Sequence, residues 1–111
     1  MCMKILITIK TDSELQSYEA TALAFLLASF NHDVQLYLTD NVFNILNHPN
    51  SRIHGMIQSL ELYDMPKAWI RDIDADKLSK NLLPFCHSDF NADLLKEDNQ
   101  SFDSYLVFQF I

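Results

Sequence analysis

Cys86 and His87 put a thiol and an imidazole side by side in the chain. An imidazole close to a thiol can depress its pKa and release the thiolate, the form that attacks or carries sulfur. Sequence neighbours in a strand point to opposite faces, however, so adjacency argues against direct contact between the two. A free cysteine also serves as a small apolar core residue, which is its commoner role. Cys86 is therefore the candidate nucleophile of a sulfurtransferase reading, with a structural role weighing more. Cys2, at the start of the chain, is a weaker candidate.

Other constellations carry less. Asp72-Ile-Asp-Ala-Asp76 opens with the spacing of a calcium loop. Lys77 then stands where the loop needs its glycine, and Leu83 where it needs a bidentate glutamate. A solvated acidic connector is expected instead, with Asp74 or Asp76 capping the next helix. His48 and His54 flank a proline turn without zinc-like partners, and His32 falls at a helix end. Exposed or capping roles are expected for these histidines. No metal site and no cofactor are expected.

Lys10, Thr11, Asp12 and Ser13 follow the first apolar run, where a parallel sheet binds ligands beyond the carboxyl ends of its strands. Asp40 and Arg71-Asp72 close the next two runs and can converge on the same rim, with Trp69 two residues before Arg71. Lys10, Thr11, Asp12, Asp40, Trp69 and Arg71 are thus the binding candidates. A helix start at Ser13 would add backbone donors. There is no glycine-rich, positively charged cradle, so caps and loop solvation explain these residues at least as well.

These side chains need elements to hold them. Lys4 to Ile9 is a β-branched run suited to a strand buried on both sides. Ser13 and Gln16 have the spacing of a capping box. Leu15, Tyr18, Ala22, Phe25, Leu26 and Phe30 then recur at helical spacing and predict one apolar face. Asn31 suits the left-handed turn after that helix. Val34 to Leu38 alternates as a strand, Asn41 to Leu46 reads as a short helix, and Ile53 to Leu62 as a second one, interrupted by Gly55. Lys67 to Arg71 predicts a third strand and Asp72 to Leu82 a short polar helix. Leu83 to His87 is a weak fourth strand, Asn91 to Asp98 an acidic helix, and Ser104 to Phe110 a final strand. The first and last strands are apolar enough to be expected inside the sheet or against another chain. Strands alternating with helices imply one α/β domain over residues 1–111, built on a mostly parallel sheet flanked by helices.

Composition closes several routes. The 111 residues hold a single glycine, Gly55, so no Walker-type phosphate loop, dinucleotide fingerprint or nucleophile elbow can be written. Eight Lys and Arg against fifteen Asp and Glu give a formal charge of −7, and the cations are scattered. Direct nucleic-acid binding and an anionic membrane surface are both disfavoured. The longest uncharged stretch, Ala20 to His32, is shorter than the ~20 residues that span a bilayer. With two cysteines and no visible leader, a reduced, soluble, cytoplasmic protein is expected.

Several short motifs in order carry a family resemblance. They are Lys4-Ile-Leu-Ile7, the long helix from Glu14, Leu38-Thr-Asp-Asn-Val-Phe-Asn-Ile-Leu46, Leu60-Glu-Leu-Tyr-Asp-Met65, Ala68-Trp-Ile70 and Phe102-Asp-Ser-Tyr-Leu-Val-Phe-Gln-Phe110. Over nearly its full length the chain resembles the DsrE/DsrF-like sulfur-relay family, and within it the TusC/DsrF type of subunit. The resemblance implies a five-stranded, mostly parallel sheet and assembly with TusB/DsrH-like and TusD/DsrE-like subunits into a heterohexamer. Such a complex hands persulfide sulfur to a TusE/DsrC-like carrier, toward 2-thiouridine in tRNA or, in sulfur oxidisers, toward sulfur oxidation. In the sulfur-accepting subunits a cysteine ends the third strand. The matching position here falls at or next to Ile70, within Trp69-Ile-Arg-Asp72, and holds no thiol. The resemblance thus implies a non-catalytic interaction subunit. The aromatic-rich end of the chain, Phe102, Tyr105, Phe108 and Phe110, supplies the interface candidates Phe102, Tyr105 and Phe110, with completion of the core as the competing role.

Alternatives are the sulfurtransferase using Cys86 and a stand-alone homo-oligomer of the same fold. The chain departs from the family in its loops. Lys10 to Ser13 replaces a glycine-containing loop, Asn41 stands for a glycine that a left-handed turn would tolerate, and Asp72 to Lys80 replaces a basic stretch.

Overall fold

The computed structural model describes residues 2–90 and 102–109. The expected acidic helix Asn91 to Asp98 and the interface candidate Phe110 lie outside them. Five strands, β1 (Lys4–Ile9), β2 (Asp33–Leu38), β3 (Ala68–Arg71), β4 (Cys86–Phe90) and β5 (Ser104–Phe108), form one sheet in the order β4-β3-β2-β1-β5. Every pairing is parallel, from Lys4↔Asp33 through Ile9↔Leu38 between β1 and β2, and from Ile5↔Ser104 through Ile9↔Phe108 between β1 and β5. The helices are α1 (Glu14–Ser29), α2 (Val42–Leu46) and α3 (Arg52–Ile57), with 3-10 helices at Leu60–Tyr63, Asp72–Lys77 and Lys80–Phe85. The α/β class and five-stranded parallel sheet follow the sequence expectation.

β1 and β2 are central and are buried from their second residue onward. Ile5, Ile7 and Ile9 share one face with Val34, Leu36 and Leu38, by the period-two geometry of a strand, and join the main core with Ala68 and Ile70. The alternate positions Leu6, Gln35 and Tyr37 are buried as well. Gln35 meets this by donating from Nε2 to the carbonyls of Leu36 and Lys67, at 2.8 and 2.9 Å. β5, by contrast, is an edge strand. Among the described residues nothing pairs with its outer side, and its residues alternate half-buried and exposed, with Val107 56% exposed, so of the two expected places for the last strand, inside the sheet or against another chain, the first is corrected.

α1 brings the largest correction. Most of the stripe of Leu15, Tyr18, Ala22, Phe25, Leu26 and Phe30 turns away from the core: Leu15, Leu26 and Phe30 are 58%, 53% and 63% exposed, whereas Phe25 packs, partly buried, against it. The helix instead rests on the sheet through Ser17, Ala20, Thr21 and Ala24. Two of these are polar, but Ser17 and Thr21 donate their hydroxyls to the carbonyls of Glu14 and Ser17 on the helix itself. That back-bonding lets hydroxyls enter the core satisfied. Small side chains bring the helix close to the Ile- and Leu-rich strands, and close packing replaces the large-residue contact the periodicity suggested.

The capping box is half made. Ser13 Oγ accepts from the Gln16 N–H at 3.2 Å. The Ser13 N–H goes to Thr11 Oγ1 instead of the Gln16 side chain, and Gln16 Oε1 is buried with no partner. At the other end Asn31 is left-handed, φ 69°, as expected. Among the described residues Asp40, φ 59°, and Asp64, φ 56°, are the other left-handed ones, whereas Asn41 is right-handed, so the turn after β2 pivots on Asp40. The expected helix from Ile53 to Leu62 divides: α3 ends at Ile57, and the chain tightens into the 3-10 helix at Leu60–Tyr63. The expected helix at 72–82 becomes two 3-10 helices, and the fourth strand begins at Cys86 because Pro84 stays within the second of them.

Gly55 sits inside α3 with a helical backbone, and a Cβ placed on it meets nothing within 4 Å. Gly55→Ala is expected to raise stability by about 0.5–1 kcal/mol, or Tm by roughly 2–5 °C, through loss of unfolded-state freedom. Thermal denaturation followed by circular dichroism checks this, and an unchanged or lowered Tm would refute it.

Candidate functional site at the carboxyl rim of the sheet

Strand order reverses at β1, which lies between β2 and β5, and the loop from Lys10 to Ser13 leaves the sheet there. The Lys10 N–H donates to the Phe108 carbonyl and the Asn41 N–H to the Lys10 carbonyl, at 2.8 and 3.2 Å. These bonds fix the ends of β5, β1 and β2 against each other. Beyond them, side chains from three strand ends converge. Lys10 Nζ lies 4.0 Å from one Asp40 carboxylate oxygen, and an Arg71 terminal nitrogen lies 3.8 Å from the other. Thr39 Oγ1 donates to Asp40 at 3.3 Å.

Arg71 also forks onto Asp74, with Nε at 2.8 Å and the second nitrogen at 3.4 Å. Lys77 Nζ reaches the same carboxylate at 3.1 Å. The Asp74 side chain is fully buried, which corrects the expectation of a solvated connector. Burial pushes its carboxyl pKa up, but the hydrogen bonds from Arg71 and Lys77 outweigh this and leave it below the usual value. The Arg71 pKa is raised in turn, first by its hydrogen bond to Asp74 and against the effect of burial.

Lys10, Asp40 and Arg71 are thus brought together, as the sequence suggested, in an alternating chain that ends on Asp74 and Lys77. Thr11 is not presented to a ligand; it is buried and its hydroxyl accepts from Ser13. Asp12 is exposed, and Trp69 lies elsewhere. Each of Lys10, Arg71 and Lys77 already has a carboxylate within 4.0 Å, so an incoming anion would have to displace Asp40. The rim is built to lock strand ends. The partly exposed Asp40 pairs contribute little individually, whereas the Asp74 fork is the strong link.

Trp69 joins the interface candidates. Its ring lies edge-on to Phe102, with centroids 5.9 Å apart, and Phe102 lies edge-on to Tyr105 at 5.7 Å. Tyr105 is 42% exposed. At the amino end of the strands, opposite the rim, an open groove of about 690 Å³ lies between the end of α1 and the turn after Leu60–Tyr63. His32, Asp33, Gln35, Met65 and Phe102 help line it. Sequence reasoning missed this groove. Its signal was the pair of left-handed turns at Asn31 and Asp64, which shape its walls.

Cys86 belongs to the main core, at the residue whose strand partner is Ala68, while His87 is exposed. Burial pushes the Cys86 thiol up to about 12, with Lys67 opposing weakly. The thiol therefore stays protonated at neutral pH and is a poor nucleophile. His54 is buried, so of its two expected roles, exposed or capping, the first is corrected, and it bonds the last carbonyl of α2. Its Nδ1 lies 2.8 Å from the Leu46 carbonyl and Nε2 2.9 Å from Asn81 Nδ2. The ring therefore donates from Nδ1 and accepts at Nε2, tying α2, α3 and the 3-10 helix at Lys80–Phe85 together. His32 accepts from the Met3 N–H at 3.1 Å.

Among the described residues no cluster of His, Cys, Asp and Glu could hold a metal ion, and no helix is long and apolar enough to cross a membrane. No protein-family model matches the chain, and no curated protein matches its sequence.

Because the folded pKa of Asp74 is depressed, its stabilisation is complete above the unfolded value near 3.8 and is lost as pH falls through the folded value. Asp74→Asn should destabilise the protein by about 1–3 kcal/mol at pH 7 and flatten the loss of stability below about pH 4. Urea denaturation at stepped pH measures both. An Asn variant with the same acid slope as the parent would remove Asp74 from the rim's energetics.

Proposed function

We propose that this chain is a non-catalytic interaction subunit of the TusC/DsrF type, working in a cytoplasmic sulfur-relay complex that supports 2-thiouridine formation in tRNA. The observation that carries the reading is the end of β3. There the resembled sulfur-accepting subunits present a cysteine, and this chain presents Ile70, wholly buried, and Arg71, committed to Asp40 and Asp74. A guanidinium held in a carboxylate fork cannot form a persulfide.

The parallel five-stranded sheet supports the same reading, as does the aromatic group that links Trp69 of β3 through Phe102 to Tyr105 of β5. Its partners in this reading are TusB/DsrH-like and TusD/DsrE-like subunits, with a TusE/DsrC-like carrier met through them. The charge of −7 leaves tRNA contact to other proteins.

The test is co-expression of the chain with TusB- and TusD-like proteins from the same source, followed by affinity purification and mass measurement of the assembly. A stable complex containing all three is expected, with Cys86→Ser recovered in it at parental yield. Incubation of the isolated chain with a persulfide donor should leave Cys86 unmodified. Failure of the partners to co-purify would overturn the interaction reading. A persulfide that forms on the chain and disappears in Cys86→Ser would overturn the non-catalytic one.

A further inference from the structure

The groove at the amino ends of the strands takes no part in the sulfur-relay reading. Its volume, about 690 Å³, falls within the ~300–1,000 Å³ of small-molecule sites. One residue in its wall stands out. Gln35 is only 8% exposed, and its Nε2 donates to the carbonyls of Leu36 and Lys67. Both partners are acceptors, so the amide nitrogen must face them and Oε1 must face away. Oε1 accepts no hydrogen bond from the described residues. It is not sealed in, because among the described residues only Gln16 Oε1 is both buried and without a partner. Gln35 lines the groove, so the groove is where its Oε1 reaches solvent. A nearly buried amide oxygen open to a cavity is an acceptor held ready for a donor.

The other lining groups decide what kind of donor fits. Asp33 and Asp64 both line the groove, and among the described residues neither has a cation within 4.0 Å. α1 ends at the same place, and its carbonyl end adds partial negative charge. Lys4 is the one opposing charge in the lining; it is exposed, on a stem long enough to turn to water. His32 is already tied to the Met3 N–H through Nδ1. Apolar surface stands beside the acceptors, from Met65, Pro66 and the Phe102 ring. Tyr63 spends one ring face on Phe25 at 4.2 Å and is 45% exposed, which leaves its second face for a cation. We infer that this groove is a binding site for a small organic cation, a guanidinium or ammonium group carried on an apolar stem. Its N–H donors meet Gln35 Oε1 and the carboxylates of Asp33 and Asp64, while the stem covers Met65 and Pro66. An anion would face two carboxylates and the carbonyl end of a helix, so the site selects by charge.

This inference goes beyond the sulfur-relay reading and stands or falls without it, because the isolated full chain is the sample. Three probes share one phenethyl stem: phenethylguanidinium, the neutral phenethylurea and the anion 3-phenylpropanoate. Amide-correlation NMR should show saturable shifts with the guanidinium, at a Kd of about 1 mM or below. They should centre on the Gln35 side-chain amide and the backbone amides of Asp33 and Asp64. The urea should bind at least about 10-fold more weakly, having lost the charge-assisted bonds, and the anion should shift none of these signals. Asp33→Asn combined with Asp64→Asn should weaken the guanidinium at least about 10-fold, to the level of the urea. Both side chains are exposed and asparagine accepts the left-handed turn at Asp64, so circular dichroism of the double variant should stay native. Asp76→Asn, which removes an exposed carboxylate beyond the opposite end of the sheet, should leave binding unchanged. Absence of saturable shifts with the guanidinium overturns the inference, as does a Gln35 side-chain amide that does not move. Equal or tighter binding of 3-phenylpropanoate overturns it too, and so does parental guanidinium affinity in the folded double variant.

Discussion

The contact on which this structure turns is the seating of α1 on the sheet through Ser17, Ala20, Thr21 and Ala24. Side chains this small let the helix axis come close to β1 and β2, whose inward residues are all Ile, Val or Leu. The bulk that fills the core therefore comes from the strands and from α2 and α3, where Val42, Phe43, Leu46, Ile53 and Ile57 are buried. The division is physically consistent. Branched side chains are favoured in strands and stiffen them, while small residues give a helix the close approach it needs. One consequence is that the large residues of α1 reach the core only from its flanks, as Phe25 and Leu27 do, partly buried. Phe25 also stacks on Tyr63 there, and Leu26 turns outward.

That seating also explains why the helix periodicity was legible while its orientation was not. Leu15, Tyr18, Ala22, Leu26 and Phe30 do share a face, and hydrophobicity alone would turn that face inward. The sequence does not state that Ser17 and Thr21 can bury their hydroxyls by bonding to carbonyls one turn back. Nor does it state that β1 and β2 already supply the volume. The strands were easier to read because β-branched runs have few alternatives, and the parallel class follows from their alternation with helices. β5 was misplaced because its residues are as apolar as those of β1, and only the chain path makes it an edge.

At the carboxyl rim the reading succeeded for a different reason. Strand ends in a parallel sheet lie on one line, so Lys10, Asp40 and Arg71 had to be neighbours once β1, β2 and β3 were placed. Asp74 escaped it because a buried carboxylate looks like an exposed one in sequence; its burial depends on two cations arriving from three residues to either side. His54 escaped for the same reason. Its partners, Leu46 and Asn81, lie 8 and 27 residues away, and only the packed fold makes them one unit.

The scarcity of glycine ties these observations together. The three left-handed turns of the described residues are made by Asn31, Asp40 and Asp64, at a cost of about 1 kcal/mol each relative to glycine. A glycine would turn the chain more easily but would bring no side chain. Asp40 turns the chain after β2 and, in the same position, puts a carboxylate between Lys10 and Arg71. The strain at Asp40 is thus the condition for joining three strand ends through one residue. Ion pairs close the chain at this end of the sheet: Lys10, Arg71 and Lys77 each have a carboxylate within 4.0 Å, so a small anion could reach them only by displacing Asp40 or Asp74, and the same contacts that hold the strand ends together keep the rim's cations occupied.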